Sequence, residues 1–470
     1  MAGVSKQDLL NDLPPEWPED LFPQIQEWAR SSGVKLVVLD DDPTGTQTVR
    51  EVTVLTRWEV DILSETLQEP EAVLYILTNS RSMPLDEAEK ITREIIHNLK
   101  AASQGTGRRF SIISRSDSTL RGHFPEEVQI LIEELGVEIN GILIIPFFAE
   151  GGRLTIQNIH YVAEGEQLVP AGVTDFAKDP TFGYTSSDLR MWVHEKSKGE
   201  IDPEEVAMID HSMIRLGGPG VVAEQLSRLK KSQFCVVNAA SYRDLEVVVA
   251  GLIQAEAAGK RFVYRTAASF VRVIGGIEPG PYLTAGDLGI DNSHGGGLVV
   301  AGSYVRKSSE QIAAARTLAN LTALEAPVPL LLESQTRREI INQLSQAADS
   351  ALNSGEDVLI YTSRELITGE DAKSSLQIGK SVSEALVDIV RRIHTRPAWV
   401  VAKGGITSSD VATSGLGVRK ARVRGQLLPG VPVWQLDTSS RWPGLIYVVF
   451  PGNVGGPDAI AQAVIRLRGN

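Results

Sequence analysis

The chain has 470 residues, of which 42% are hydrophobic and 22% charged, with a formal net charge of −13 and a single cysteine. That length predicts two or three domains, and the composition is that of a folded globular protein rather than a disordered or fibrous one. The acidic balance without any long basic run argues against a nucleic-acid partner. No apolar stretch reaches the ~20 residues of a spanning helix, so no membrane partner is expected, and one cysteine excludes an intramolecular disulfide. With no signal-peptide pattern at the N-terminus, the expectation is a cytoplasmic protein.

In chain order, residues 1–33 carry Pro14, Pro15, Pro18 and Pro23 with Trp17 and Trp28, and read as a short extension held on the first domain by its aromatics. Four continuous apolar, β-branched runs follow: Lys35–Leu39, Ala72–Leu77, Phe110–Ile113 and Gly141–Ile145. Such runs read as parallel strands buried on both faces, and the helical patterns at Asp86–Leu99 and Glu126–Leu135 make the rhythm βαβα. Phe234–Val237, which holds Cys235 as a small core residue, and Arg261–Tyr264 continue it. Residues 275–297 form a Gly/Pro-rich connector, after which Leu298–Val300, Asp357–Tyr361, Trp399–Ala402 and Ile446–Phe450 supply four more strand candidates. The expected fold is α/β, with two α/β domains of largely parallel sheets and an interdomain cleft. The divisions are an extension at 1–33, a first domain at 34–274, a connector at 275–297 and a second domain at 298–470.

The chemistry concentrates where strands end, the place at which open α/β sheets bind ligands. Leu39 runs into Asp40-Asp41-Asp42-Pro43-Thr44-Gly45, Leu77 into Thr78-Asn79-Ser80-Arg81, and Ile113 into Ser114-Arg115-Ser116-Asp117-Ser118-Thr119-Leu120-Arg121-Gly122-His123. Arginine forks suit carboxylates, hydroxyls suit a polyol, and an aspartate among them can take a proton, so a carboxylated polyol fits the combination. Pro146 to Arg153 repeats the logic at the fourth strand, and Phe176 to Tyr184 reads as a long ordered loop. His123 and His160 lack the paired spacing of a metal site, and no metal ligand is assigned. In the second half the strand ends are rich in small residues: Ala301-Gly302-Ser303, Tyr361-Thr362-Ser363, Lys403-Gly404-Gly405-Ile406-Thr407-Ser408 and Pro451-Gly452-Asn453. Four such loops at one sheet edge make a phosphate or nucleotide cradle, with a helix capped by Thr407 or Ser408, although neither common nucleotide fingerprint is present.

These residues resemble the four-carbon acid sugar kinase family, over about residues 35 to 462. The resemblance rests on Asp41-Asp42-Pro43-Thr44-Gly45, Ser80-Arg81, Ser116 to Gly122, Gly302-Ser303, Lys403 to Thr407 and Pro451-Gly452-Asn453. It implies an ATP-dependent kinase that uses Mg²⁺ and phosphorylates a hydroxyl of a small sugar acid such as threonate, erythronate or a 3-oxo derivative. Its N-terminal domain would bind the acid sugar and its C-terminal domain ATP. By position, Asp42, Arg81, Arg115, Ser116, Asp117 and Ser118 look like the acid-sugar contacts, to which their own chemistry adds Thr44 and Arg121, with Asp42 and Asp117 the catalytic candidates. Ser303, Thr362, Gly404, Gly405, Ile406, Thr407, Gly452 and Asn453 are the nucleotide contacts. Arg81 and Arg115 are expected to grip the substrate carboxylate. Asp42 is favoured as proton acceptor, because an acidic cluster should raise its basicity, while Asp117 should stay ionised between guanidiniums. Backbone amides of Gly404 and Gly405 are expected at the transferring phosphoryl group.

Two departures from the family pattern stand out: Thr46-Gln47-Thr48-Val49 where many relatives carry an acidic residue, and Val305 where many have a serine. The partner is a small-molecule sugar acid, and a homo-oligomer is compatible with the sequence. A rival reading is a haloacid-dehalogenase-type phosphatase, since Asp40 to Thr44 imitates its nucleophile loop, Ile76 to Asn79 its second motif and Gly286 to Asp291 its acidic motif. A non-enzymatic sugar-acid sensor is a third.

Overall fold

The computed structural model describes residues 3–291, 295–302, 306–364, 372–452 and 454–469. The chain divides into two compact units, Met1–Val49 with Arg57–Pro279, and Arg50–Thr56 with Gly280–Asn470. Residues 50–56 therefore leave the first unit, although sequence order places them inside it. Their strand Val52–Leu55 pairs antiparallel with Lys420–Val423 of the second.

The first unit is built on seven parallel strands in the order Ala207–Ile209, Gln233–Val237, Gly141–Ile145, Phe262–Thr266, Arg109–Arg115, Val34–Asp40, Val73–Leu77. Five of them, Val34–Asp40, Val73–Leu77, Gly141–Ile145, Gln233–Val237 and Phe262–Thr266, are almost wholly buried, which is why they read as nearly unbroken apolar runs. After Val34–Asp40 the chain goes to one side at Val73–Leu77, then crosses back to the other at Arg109–Arg115. The strand order thus reverses between two strands whose last residues, Asp40 and Arg115, are register partners. That is the topological switch point at which such sheets take ligands. Cys235 is buried in its strand, and burial pushes its thiol up to about 12.

A second, antiparallel sheet of Arg153–Ile156, Ile159–Glu164, Gln167–Pro170 and the N-terminal Val4–Ser5 has no counterpart in the apolar-run reading. The extension is accordingly a strand and two helices, Lys6–Asn11 and Phe22–Ser31. Arg215 donates to the Pro14 carbonyl at 2.8 Å, and the Trp17 ring fills the space where Gly218 lacks a side chain.

In the second unit the order is Val52–Leu55, Lys420–Leu428, Val431–Leu436, Ile446–Phe450, Trp399–Lys403, Leu298–Ala301, Asp357–Thr362, Leu321–Ala326. The last five run parallel and the first three antiparallel. Four of the parallel strands carry the small-residue loops, so Gly302, Ser363, Gly404 and Pro451 emerge at one edge.

Candidate functional site

At the first unit's carboxyl edge, the strand ending at Asp40 passes into a short turn, Pro43–Thr46, with Asp42 as its cap. Proline suits the first position of such a turn, and Asp42 Oδ1 accepts from Thr44 N at 2.9 Å and Thr44 Oγ1 at 2.6 Å. The turn folds over Asp40 so closely that any side chain on Gly45 would run into the Asp40 carboxylate.

Arg81, from the turn after Val73–Leu77, is the hub. It pairs with Asp42, approaches Asp117 Oδ1 at 3.3 Å and lies 3.7 Å from Asp41 Oδ2. Asp117 also accepts from Arg121 Nε at 2.7 Å and from Thr119, and Arg121 reaches Asp179 at 3.6 Å. Asp42, Thr44, Arg81, Asp117 and Arg121 are therefore assembled at one place from three loops.

Four of the expected site residues sit in settings that composition did not show. Arg115 is buried, with Nη1 3.3 Å from Asp40 and 3.5 Å from Asp41, so its guanidinium faces the acidic run. Ser116 is fully buried and donates to Glu127 at 2.9 Å, and Ser118, also buried, offers its carbonyl to His160 Nε2 at 2.7 Å. Asp42 is not the basic member of the acidic run. Burial works to raise its proton affinity, but Arg81 and the two Thr44 hydrogen bonds outweigh it and hold Asp42 below the usual carboxylate range. The raised groups are its neighbours. Burial, opposed by Arg115 and reinforced by the adjacent aspartates, carries Asp40 to about 8. Burial against the pull of Arg81 and Arg115 carries Asp41 to about 6. Both Asp41 oxygens are buried without a hydrogen bond. Asp117 is held well below the usual range, because Arg121 and Arg81 overcome the burial that opposes them.

Sequence reasoning missed Arg265 and Glu127. Buried in the strand Phe262–Thr266, Arg265 donates to Glu127 at 2.8 Å and to the Arg121 carbonyl at 3.1 Å, and its guanidinium lies over Phe124 and Trp192. An arginine inside an otherwise apolar run was the available signal. His160, between Thr155 and Ser118, is pushed down to about 4 by burial and stays neutral, a structural role. Tyr184 anchors the Phe176–Tyr184 segment by donating to the Thr119 carbonyl at 2.7 Å.

At the second unit's edge, Thr362 Oγ1 meets the Gly302 carbonyl at 3.3 Å, and a Cβ on Gly302 would lie 2.6 Å from Thr407 Oγ1, so a side chain there would have to displace Thr407. The helix Gly405–Asp410 starts ahead of the expected cap: Thr407 and Ser408 lie inside it, and Ser408 Oγ donates to the Ala402 carbonyl at 2.6 Å. Gly404, at φ +107°, gives its amide to the Phe450 carbonyl at 2.8 Å, so that amide is not available to a phosphate. The amides of Gly405, Ile406 and Thr407 precede the helix's first bond, Ser408 N to Gly404 O, and are the donors this turn can offer. Ile406 is exposed and Thr407 buried. Lys403, unassigned in the sequence, is fully buried and donates to the carbonyls of Pro451 at 2.6 Å and Gly452 at 3.0 Å. Burial, with Lys307 nearby, pushes it down to about 7. Ser303 and Asn453 lie outside the described residues.

Residues 36–274 match a sugar-binding N-terminal domain and residues 298–460 a nucleotide-binding C-terminal domain. The chain belongs to the four-carbon acid sugar kinase family. The Asp42–Arg81–Asp117 cluster falls within the family's sugar-binding domain, and the Gly302, Gly405 and Lys403 edge within its nucleotide-binding domain. A 3-oxo-tetronate kinase of Cupriavidus necator is 27% identical over 408 residues, covering 84% of this chain and 87% of that protein. A D-erythronate kinase of Heliobacterium modesticaldum is 22% identical over 414 residues, with the same coverage of 84% and 87%. Solved structures from Salmonella typhimurium LT2 and Haemophilus influenzae share the fold, with TM-scores of 0.67 and 0.60, each 18% identical and each covering 91% of this chain and 98% of that structure.

Family membership displaces the phosphatase reading, and the geometry agrees. Asp40, its would-be nucleophile, is buried under the Gly45 turn, while Asp287 of the imitated acidic motif is an exposed carboxylate that caps Thr284. Among the described residues no helix is long and apolar enough to cross a membrane, and no group of three His, Cys, Asp or Glu side chains could hold a metal ion.

Proposed function

We propose that this protein transfers the γ-phosphoryl group of ATP to a hydroxyl of a small, about four-carbon, sugar acid such as threonate, erythronate or a 3-oxo derivative. The observation that carries the reading is the ionised, guanidinium-braced pair Asp42 and Asp117 in a sugar-binding domain, joined in one chain to a nucleotide-binding domain whose strand ends are small. The names of the two kinase relatives support the substrate class.

Asp42 and Asp117, kept charged by Arg81 and Arg121, would accept hydrogen bonds from substrate hydroxyls and orient the attacking oxygen. Asp41, raised to about 6 and with oxygens that lack a hydrogen-bond donor, is better matched than Asp42 to take the hydroxyl proton. In the second unit, the Gly405 to Thr407 amides would face ATP phosphate oxygens, and Lys403 would hold the Pro451–Gly452 turn in place. Positioning and charge stabilisation are most of phosphoryl-transfer catalysis. Without a protein-built metal cage among the described residues, Mg²⁺ would arrive on the ATP phosphates with its own waters, and no step here depends on a protein ligand to it.

Hydrogen exchange tests the division of labour. A non-hydrolysable ATP analogue should protect 298–460 far more than the loops at 40–46 and 114–122, and a sugar acid should do the reverse. Equal protection of both sets by the nucleotide would sink the reading.

A further inference from the structure

The guanidiniums at the carboxyl edge of the first unit differ in what they have left to give. Arg81 faces Asp41, Asp42 and Asp117, and Arg115 faces Asp40 and Asp41. Arg121 is paired with Asp117, Arg265 with Glu127 and Arg272 with Glu150. Arg153 is different. Among the described residues no carboxylate lies within ion-pair distance of it. Its Nη1 donates to the Gly151 carbonyl, and its Nε is buried with no acceptor at all.

The fold builds this position deliberately. Arg153 opens the strand Arg153–Ile156, immediately after the loop that leaves Gly141–Ile145, and its backbone is clamped to Phe148 by a reciprocal pair of bonds at 2.9 and 3.0 Å. A Cβ on Gly151 would stand 2.7 Å from Arg153 Nη1, so this glycine leaves room for the guanidinium, while Gly152 turns the chain at a left-handed φ of +69° against Ala163. The Phe176 ring then lies against both Arg153, at 5.6 Å, and Arg121, at 5.3 Å, which places the unpaired cation beside the Arg121–Asp117 pair. Burial lowers the proton affinity of Arg153, while Asp117 acts on it through space without pairing. A desolvated guanidinium is costly unless it meets an anion, and a planar fork meets a carboxylate at two points.

We infer that Arg153 is the residue that binds the carboxylate of the acid sugar, and so sets the preference for an acid over a neutral polyol. The assignment rests on the sugar-acid kinase reading above. It takes the role expected of Arg115, whose Nη1 faces Asp40 at 3.3 Å and Asp41 at 3.5 Å. Substrate hydroxyls would then lie toward Asp117 and Asp42, with the carboxylate at the Phe176 end.

The test uses the full-length enzyme with D-erythronate, L-threonate and the carboxamide of each, followed by ADP release. Losing charge-assisted hydrogen bonds should raise the acid's KM by about 10- to 150-fold in Arg153→Met, while kcat/KM for the carboxamide, which offers only a neutral acceptor, falls by a clearly smaller factor, below about tenfold. Arg153→Lys keeps the charge without the fork and should recover part of the acid's affinity, which guards against a merely unfolded Met variant. Equal losses for acid and carboxamide in the Lys variant, or an unchanged KM for the acid in the Met variant, would overturn the assignment while leaving the kinase reading intact. A wild-type enzyme that phosphorylates neither acid but does phosphorylate a neutral polyol would overturn both.

Discussion

Arg81→Met gives the account a quantitative handle on the site's electrostatics. Arg81 has a side chain 18% exposed and faces three carboxylates, so its removal leaves Asp41, Asp42 and Asp117 with less compensation. Removing one partner of a buried ion pair costs about 3–5 kcal/mol, and that is the expected loss of first-unit stability at pH 8. The cost must depend on pH. In the wild type Asp42 and Asp117 bind protons more weakly than their ordinary value of 3.8, so the stability they contribute is present at neutral pH and lost only as pH falls into the acid range. Without Arg81 their folded-state affinities rise, the folded variant takes up protons that the unfolded chain does not, and its stability falls as pH rises. One carboxyl displaced above neutrality would regain up to about 1.4 kcal/mol per pH unit as pH falls from 7 to 5. Hydrogen exchange at the buried amides of Leu36 to Leu39, corrected for intrinsic rates, reads the opening free energy of this unit alone. A penalty below about 1 kcal/mol at pH 8, or one equal at pH 5 and pH 8, would refute the assignment of Arg81 as the hub.

Asp41→Asn should lower kcat by about 10²-fold or more and remove a wild-type rise in kcat as pH increases through about 6, whereas Asp42→Asn should chiefly raise sugar KM; steady-state pH profiles separate the two. Gly45→Ala should cost about 1–3 kcal/mol in a urea melt, because its methyl displaces the buried Asp40 carboxylate, and Gly105→Ala, in a helix with open space around it and no positive φ, should cost nothing. Lys403→Met should raise the KM for ATP about tenfold while sugar-acid binding by calorimetry stays unchanged, since two carbonyls of the Pro451–Gly452 turn lose their donor.

The parallel strands were legible because burial on both faces removes polar residues from them: Gly141–Ile145 and Ile446–Phe450 were bounded to the residue. The antiparallel ones carry a different signature. Lys420–Leu428 alternates buried and half-buried residues along its whole length, a period-two pattern that a search for continuous apolar runs passes over. Nothing local marks Val52–Leu55 as a strand of the other unit, because its partners lie some 370 positions away in the chain. The loops of the candidate site were legible as compositions, since arginine, aspartate and hydroxyls crowd three strand ends. Which of them point inward was not. Arg115 and Arg81 look alike in sequence, yet one terminates a buried strand opposite Asp40 and the other sits on a half-exposed turn. The same holds for the acidic run, where burial raises Asp40 and Asp41 and the Arg81–Thr44 contacts lower Asp42. Arg153 was visible, but its lack of a carboxylate partner is a property of the assembled fold.

Phosphoryl transfer itself is the most direct test of the central claim. The purified chain, given ATP, Mg²⁺ and a panel of four- to six-carbon aldonates with their 3-oxo forms, should release ADP with at least one four-carbon acid, and ³¹P spectroscopy should show a new phosphate monoester on that acid in equal amount. ADP release with none of the panel, or phosphate released from a sugar-acid phosphate without nucleotide, would contradict the account.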